Sequence, residues 1–348
     1  MHMADALISP VVGGTMWAAS AGMIVVSAKK IQNDLDEKKI PLMGVLGAFI
    51  FAAQMINFSI PGTGSSGHLG GALILAVLLG PYAAFLTMTS ILTVQALFFG
   101  DGGLLALGCN IFNMGFFTCF VTYPLLYKKI AGNKTSQSRI LWGAMLAGVI
   151  GLQLGAFGVV LETVFSGISE LPFKTFVLLM QPIHLAIGVV EGLVTAAVIR
   201  FVWKARPEIL ESAASARPIG SVSIKKVFIG LGIAAVLTGG ALSWFASAYP
   251  DGLEWSVFRA SGKEELEVKG DIHQTLASLQ EKTALLPDYG FRKGKTEVAD
   301  GNSETSSWPD VNAGTTVSGL VGGGITLLLA GLIGLVLRLI KKAKVKTS

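Results

Sequence analysis

A chain of 348 residues with 52% hydrophobic and only 14% charged residues has too little polar surface for a soluble enzyme or binding domain of that size. Its long apolar runs make it an integral membrane protein. The net charge of +5 does not imply a nucleic-acid partner, because the basic residues cluster between apolar runs and no domain is left over to bind nucleic acid. The opening MHMADALISP has no Lys or Arg and no small-residue cleavage site, so it is not read as a signal peptide. Spans are predicted at 11–28 and 42–57, then along 69–99 with an interruption at Gly80-Pro81, then at 104–127, 140–165, 176–202, 227–249 and 318–340. The interrupted run is one long helix or two short ones, since proline disfavours helical continuation and restrains its predecessor.

Charge decides between them. Lys29, Lys30, Lys38 and Lys39 follow the first span, and Lys128, Lys129, Lys134 and Arg139 follow 104–127. Arg200, Lys204, Arg206, Arg217, Lys225 and Lys226 form a third cluster, and Arg338, Lys341, Lys342, Lys344 and Lys346 form the tail. Only the two-helix reading puts all four clusters on one side. The positive-inside rule therefore predicts nine spans, with the N-terminus outside and the C-terminus in the cytoplasm. The third span, 69–80, is then about 18 Å long at 1.5 Å per residue, against a hydrocarbon core of roughly 30 Å. The loop before it, FSIPGTGSSGH at 58–68, is expected to dip to membrane depth, where non-helical backbone survives only inside protein or along a cavity. Residues 250–317 form the large external segment, opening PDGLEWS and ending in the linker-like DGNSETSSWPD.

Four histidines bear on chemistry: His2, His68, His184 and His273. A free terminal amine, the amide nitrogen of residue 2 and Nδ1 of His2 close two fused chelate rings on one metal, with the three donors nearly coplanar. This requires Met1 to be retained, and a bulky His at position 2 disfavours its removal. His68, at the end of the glycine-rich loop and on the same outer side, supplies a fourth nitrogen. A square plane of nitrogens suits nickel(II) or copper(II), not the oxygen-seeking magnesium or calcium. Taken singly, His2 reads as a solvated terminus and His68 as a polar loop residue; their shared side and the dipping loop favour a ligand pair. His184 and Glu191, seven residues apart, fall on roughly one helix face. A hydrogen-bonded structural pair, or an interface with a partner subunit, ranks ahead of metal binding for them. His273 is expected to be solvated. Cys109 and Cys119 lie in apolar segments and support packing rather than a zinc cluster or disulfides. No His-Glu-x-x-His or Gly-x-Ser-x-Gly is present, and one intramembrane histidine leaves no bis-His haem. GFRKGKT at 290–296 has its glycines one residue too close for a phosphate loop, and lies outside. No catalytic residue and no nucleotide hydrolysis are therefore assigned.

The start at Met1, His2 and Asp5 resembles the N-terminus of the CbiM/NikM substrate-binding component of energy-coupling-factor transporters. So do AAQMINF at 52–58, GTGSSGHLGGAL at 62–73, LLGPYAA at 78–84, VQALFFGDGGLLALGCNIFNMGF at 94–116 and HLAIGVVEGLVTAAVIRFV at 184–202. PDGLEWS at 250–256 and LPDYGF at 286–291 resemble the small accessory PDGLE module, fused here at the C-terminus. The resemblance implies an all-α membrane protein: a seven-helix bundle over 1–203, a basic cytoplasmic linker over 204–226, and a PDGLE module over 227–348 with two more membrane helices flanking the external segment. It implies a subunit of an ATP-driven importer for nickel or cobalt in a prokaryotic cytoplasmic membrane. The metal is the transported substrate, and no tightly bound organic cofactor is expected. The implied ligands are Met1, His2 and His68, with Asn57, Ser66 and Asp5 supporting them and His184 and Glu191 structural or coupling. The implied partners are a transmembrane coupling subunit and cytoplasmic ATPases, which would carry out the hydrolysis, besides membrane lipid. A cobalt importer feeding cobalamin synthesis is the near alternative. A partner-independent channel or secondary transporter, lined by Gln54, Asn57, Gln95, Asn110 and Asn113, is the alternative of another class. An intramembrane enzyme built on His184 and Glu191 would show turnover by the single chain and would tolerate loss of His2.

Overall fold

The computed structural model describes residues 1–32, 38–132, 135–169, 171–263, 266, 270–292 and 308–347. Its helices, in chain order, are α1 (Pro10–Ile31), α2 (Lys39–Gln54), α3 (Ala72–Leu79), α4 (Pro81–Phe99), α5 (Leu107–Ala131), α6 (Gln137–Ser166), α7 (Phe173–Ala205), α8 (Pro207–Ser215), α9 (Lys225–Gly240), α10 (Gly252–Ser261), α11 (Asp271–Thr283) and α12 (Ala313–Thr347). Six of them, α1, α4, α5, α6, α7 and α12, are long and apolar enough to cross a bilayer. The protein is a multi-pass membrane protein. The linker-like stretch at 301–307 and the end of GFRKGKT lie outside the described residues.

The elements follow local chemistry. Ser9 caps α1, its hydroxyl accepting from the Val12 amide, and Pro10 opens the first turn. Outward faces carry Val11, Trp142, Leu146, Leu178 and Leu193 exposed, as lipid-facing surface requires. The interruption falls where the sequence places it. Gly80 stands at φ 84° between α3 and α4, a left-handed conformation that glycine adopts without penalty, and Pro81 starts the next helix. Every residue of α3 is buried, so this short helix is surrounded by protein. α6 and α7 pack closely because Gly188 and Gly192 lack side chains. A β-carbon on Gly192 would stand 2.7 Å from the Met145 Cα, and one on Gly188 2.9 Å from the Val149 Cα.

Two spans end sooner than the sequence reading places them. The span expected at 42–57 starts earlier and stops at Gln54. The one expected at 227–249 stops at Gly240, giving way to a tight turn at Leu242–Phe245. The all-α expectation meets one exception, an antiparallel hairpin of β1 (Phe58–Ile60) and β2 (Ser65–Gly67), with Phe58 opposite Gly67. Its turn, Pro61-Gly62-Thr63-Gly64, cannot propagate a helix. Pairing the two short strands satisfies backbone groups that have little access to water.

The basic segments gather at one end. Lys38 Nζ donates to the carbonyls of Gly220 and Val222 at 2.5 and 2.6 Å, joining the first basic loop to the third. Arg200 reaches Gln137 Oε1 at 2.8 Å, joining the third to the second. Met1, the hairpin and the start of α10 meet at the other end. α9 and α12 pack on α2, so the C-terminal helices lie directly against the first bundle.

Candidate functional site

The N-terminal segment enters the bundle and is held by its backbone. The Met3 amide donates to Asn110 Oδ1 at 2.8 Å, and the Met3 carbonyl accepts from Asn110 Nδ2 at 3.2 Å and from the Gly103 amide at 2.9 Å. Asp5 Oδ1 accepts from the Ala106 amide at 2.9 Å. Met1, Met3, Leu7 and Ile8 are buried, so apolar burial and paired amides together fix the path. Gly103 packs against Asp5 so closely that a β-carbon there would collide with it.

This path delivers the Met1 amine to within 2.9 Å of His68 Nε2. The rings of His2 and His68 stack with centroids 4.9 Å apart and planes 15° from parallel. Two nitrogens 2.9 Å apart match adjacent corners of a square plane with metal–nitrogen bonds of roughly 2.0–2.1 Å.

Hydrogen bonds set the tautomers. The Gly70 carbonyl can only accept, so Gln54 Nε2 donates to it at 2.8 Å. Gln54 Oε1 then accepts from Gln95 Nε2 at 2.9 Å, which turns Gln95 Oε1 toward His2 Nε2 at 3.2 Å. His2 therefore carries its proton on Nε2 and leaves Nδ1 bare. His68 Nδ1 donates to the Leu69 carbonyl at 3.0 Å and leaves Nε2 bare. Both free nitrogens are the ones a chelate with the terminal amine needs. The wide last turn of α4, Gln95–Phe99, is the irregularity from which Gln95 reaches both partners.

The site is charged on one side. Asp251 Oδ2 accepts from the Met1 ammonium at 2.5 Å and lies 4.0 Å from His68 Nε2. Asp101 Oδ1 stands 3.3 Å from His2 Nδ1, and its Oδ2 accepts from the Tyr289 hydroxyl at 2.5 Å. Burial, aided by the neighbouring ammonium, pushes both imidazoles down to about 3, so they are neutral near pH 7. Burial pushes Asp251 up, but the Met1 ammonium and His68 outweigh it and hold the carboxyl well below its usual range. Burial also pushes Asp101 up, with the Tyr289 bond opposing it.

The signs agree on acid. The imidazoles titrate near 6.5 when released and near 3 when docked, so the released form takes up protons first and docking weakens as pH falls through that window. Asp251 adds stability that is present above its ordinary range and is lost at still lower pH. Metal ligands must also be deprotonated. Any metal held by these nitrogens is thus expected to leave as pH is lowered from 7.5 to about 4.5. An absorption titration checks it, and full retention at the lower pH would contradict the buried-imidazole account.

Met1, His2 and His68 therefore meet; the supporting residues divide. Ser66 grips the external segment, its amide donating to the Pro250 carbonyl at 2.8 Å and its hydroxyl to the Tyr249 carbonyl at 2.7 Å. Asn57 accepts from the Ser247 amide through its carbonyl at 2.7 Å, one strand away from the histidines. Asp5 anchors the segment without approaching the rings. His184 and Glu191 share a face but are not bonded to each other. His184 Nδ1 donates to the Met180 carbonyl at 2.8 Å. Glu191 accepts from the amides of Gly70 and Gly71 at 2.9 and 3.0 Å, fixing the turn that follows His68. His273, expected to be solvated, is buried, with Nε2 on the Ile8 carbonyl at 2.8 Å. α11 lies over the N-terminal segment, a contact that no spacing along the chain records. Gln54, Gln95 and Asn110, considered as a conduit lining, instead hold that segment. Asp101 and Asp251 stand at the site without a sequence pattern that marks them as part of it. Among the described residues no three His, Cys, Asp or Glu side chains form a metal cluster, so the arrangement depends on the terminal amine.

The motif around Asp251 has a local explanation. Its Oδ1 caps α10 by accepting from Leu253 and Glu254 amides at 2.8 Å, while Glu254 Oε2 accepts from the Asp251 amide at 3.1 Å. That reciprocal cap leaves Oδ2 free for the Met1 amine. Gly252 allows contact with α7: a β-carbon there would be 2.5 Å from Ile183 Cγ2.

A family model described as "Cobalt uptake substrate-specific transmembrane region", CbiM, matches residues 2–209. The chain belongs to the CbiM family. A PDGLE domain matches residues 225–339, so a CbiM region is fused to a PDGLE domain. The CbiM region contains Met1's neighbours, His68, Gln95 and Asp101, while Asp251 comes from the PDGLE domain. The fused nickel transport protein NikMN of Rhodobacter capsulatus is 32% identical over 68% of this chain and 71% of its own. The cobalt transport protein CbiM of Sorangium cellulosum is 28% identical over 61% of this chain and 95% of its own. A crystal structure of a transition metal transporter is 33% identical and superposes with a TM-score of 0.53, covering 61% of this chain and 97% of that one.

Proposed function

We propose that this CbiM–PDGLE chain is the substrate-capturing subunit of an ATP-driven importer for nickel(II) or cobalt(II), working with a transmembrane coupling subunit and cytoplasmic ATPases. The capture site is the Met1 amine, the amide nitrogen and Nδ1 of His2, and Nε2 of His68. The observation that carries this reading is the Met1 amine 2.9 Å from the bare His68 nitrogen, with the His2 ring stacked alongside. Four coplanar nitrogens favour nickel over cobalt, while rejection of copper rests on geometry or supply, since copper leads the affinity order. α1–α7 form a seven-helix capture unit over 1–203, joined by the linker 204–226 to the PDGLE unit over 227–348, whose α9 and α12 flank an outer segment. The common end of the basic segments supports an outer N-terminus and a cytoplasmic C-terminus. Asp251 accepts from the Met1 ammonium, and loading requires that contact to be exchanged for the metal. The PDGLE segment is thereby tied to loading.

The test is nickel titration of the purified full chain, with Met1 verified by mass spectrometry. One equivalent of a yellow, diamagnetic complex is expected, with His2→Ala and His68→Gln each binding about 100-fold more weakly, roughly 3 kcal/mol. Octahedral paramagnetic nickel as the first equivalent, or wild-type affinity in both variants, would overturn the site. Uptake by cells lacking the ATPase partners would favour the channel alternative.

A further inference from the structure

His184 is the one buried imidazole next to the capture site that the proposed capture does not use. Its Nδ1 proton goes to the Met180 carbonyl, so Nε2 is a bare lone pair, and that atom is buried without any hydrogen-bond partner. The residue is 1% exposed. An orphaned polar atom in the membrane interior is expensive and calls for an occupant. His184 lines a cavity of ≈ 10 Å³ together with Met1, His68, Asp251 and Gly252, enough room for one water-sized particle. A neighbouring cavity shares the walls Gly70, Met114 and Leu152 and continues to Asn113, Thr118 and Glu191. Asn113 Oδ1 is likewise buried and unpartnered. Two residues along these adjoining cavities, His184 and Asn113, thus each carry a buried polar atom without a partner.

We propose that His184 Nε2 and the Asp251 carboxylate form a second, weaker site for the divalent cation, which receives it as it leaves the amine and the two capture imidazoles. The proposal rests on the Met1–His2–His68 capture site. An imidazole nitrogen suits nickel and cobalt, and the carboxylate supplies the negative charge that a dication in an apolar cavity needs. Asp251 becomes available when it is needed. Its Oδ2 is taken by the Met1 ammonium. Once the amine binds metal through its lone pair it carries no ammonium proton, and the carboxylate is left facing the cavity that His184 lines. Gly252 lets this segment approach closely, since a β-carbon there would lie 3.2 Å from His184 Cε1.

The experiment titrates cobalt(II) into the full chain and into His184→Gln, whose side chain keeps an amide donor for the Met180 carbonyl. Wild type is expected to bind one tight and one weaker equivalent, and His184→Gln to lose only the weaker one. In a chain with one glycine inserted between Met1 and His2, the tight equivalent is expected to vanish and the weaker to remain, because the added residue also carries the ammonium out of reach of Asp251. Loss of both equivalents in His184→Gln, no second equivalent in wild type, or a second equivalent indifferent to His184→Gln would each overturn the proposal. If the insertion leaves the tight equivalent intact, the capture site is wrong, yet the His184 result is still read separately. If His184→Gln fails to fold, wild-type protein labelled with [15N]histidine decides. A second equivalent of nickel is expected to broaden the His184 Nε2 resonance, and an unaffected resonance refutes the site.

Discussion

Insertion of one glycine between Met1 and His2 is expected to abolish tight nickel binding while leaving the fold intact. Every side chain remains, including both stacked imidazoles. Only the fused chelate is broken, because the amine no longer belongs to the residue that precedes His2. The extra residue also displaces the amine by up to about 3.3–3.6 Å from the His68 nitrogen it now meets at 2.9 Å. Loss of at least ~10³ in affinity, about 4 kcal/mol, is expected. Calorimetry or the loss of the yellow band measures it, and an unchanged melting temperature in detergent serves as the control. A variant that still binds within tenfold of wild type would make the terminus a bystander and return attention to His184 and the polar residues of the membrane interior. Substitution of His2 alone is less discriminating, since it removes a donor and the ring stacking together.

Glu191→Ala is expected to have the second largest effect, although Glu191 touches no proposed ligand. Its two oxygens accept the Gly70 and Gly71 amides at the start of α3, where unpaired amide groups favour an acidic partner. Truncation leaves two buried amides without acceptors, at about 1–3 kcal/mol each. The turn after His68 then loosens, and the Gln54 bond to the Gly70 carbonyl loosens with it. Nickel affinity is expected to fall at least ~10-fold, about 1.4 kcal/mol. Amide exchange at Gly70 and Gly71 should rise in the same variant. Glu191→Gln, which keeps one carbonyl oxygen, should be intermediate. Wild-type exchange rates together with wild-type affinity in Glu191→Ala would show that the loop is held by other means.

Much of this was legible in the residues. Apolar runs and basic clusters located the helices, and Gly80-Pro81 marked the interruption between α3 and α4, because proline and left-handed glycine act locally. The capping pattern of Asp251 and Glu254 is likewise a four-residue property. The end of the helix expected at 227–249 was not legible. The glycine pair at its end packs against α12, with a β-carbon on Gly239 only 3.1 Å from Gly319, and that contact is remote in sequence. The burial of His273 is not legible in the sequence for the same reason. Its hydration depends on whether α11 covers the N-terminal segment, and the bond to the Ile8 carbonyl spans 265 positions.

The sequence by itself determined the class of molecule, the positions of its helices and the donors worth considering, since hydropathy, charge placement and the chelating geometry of a terminal Met-His are local properties. Tertiary structure alone decided which donors meet and in which state. The His2 tautomer follows from a chain of amides running from the Gly70 carbonyl through Gln54 and Gln95. The partner of the amine, Asp251, arrives from 250 residues away. Such bonds depend on distance and orientation in three dimensions, and no spacing along the chain records them.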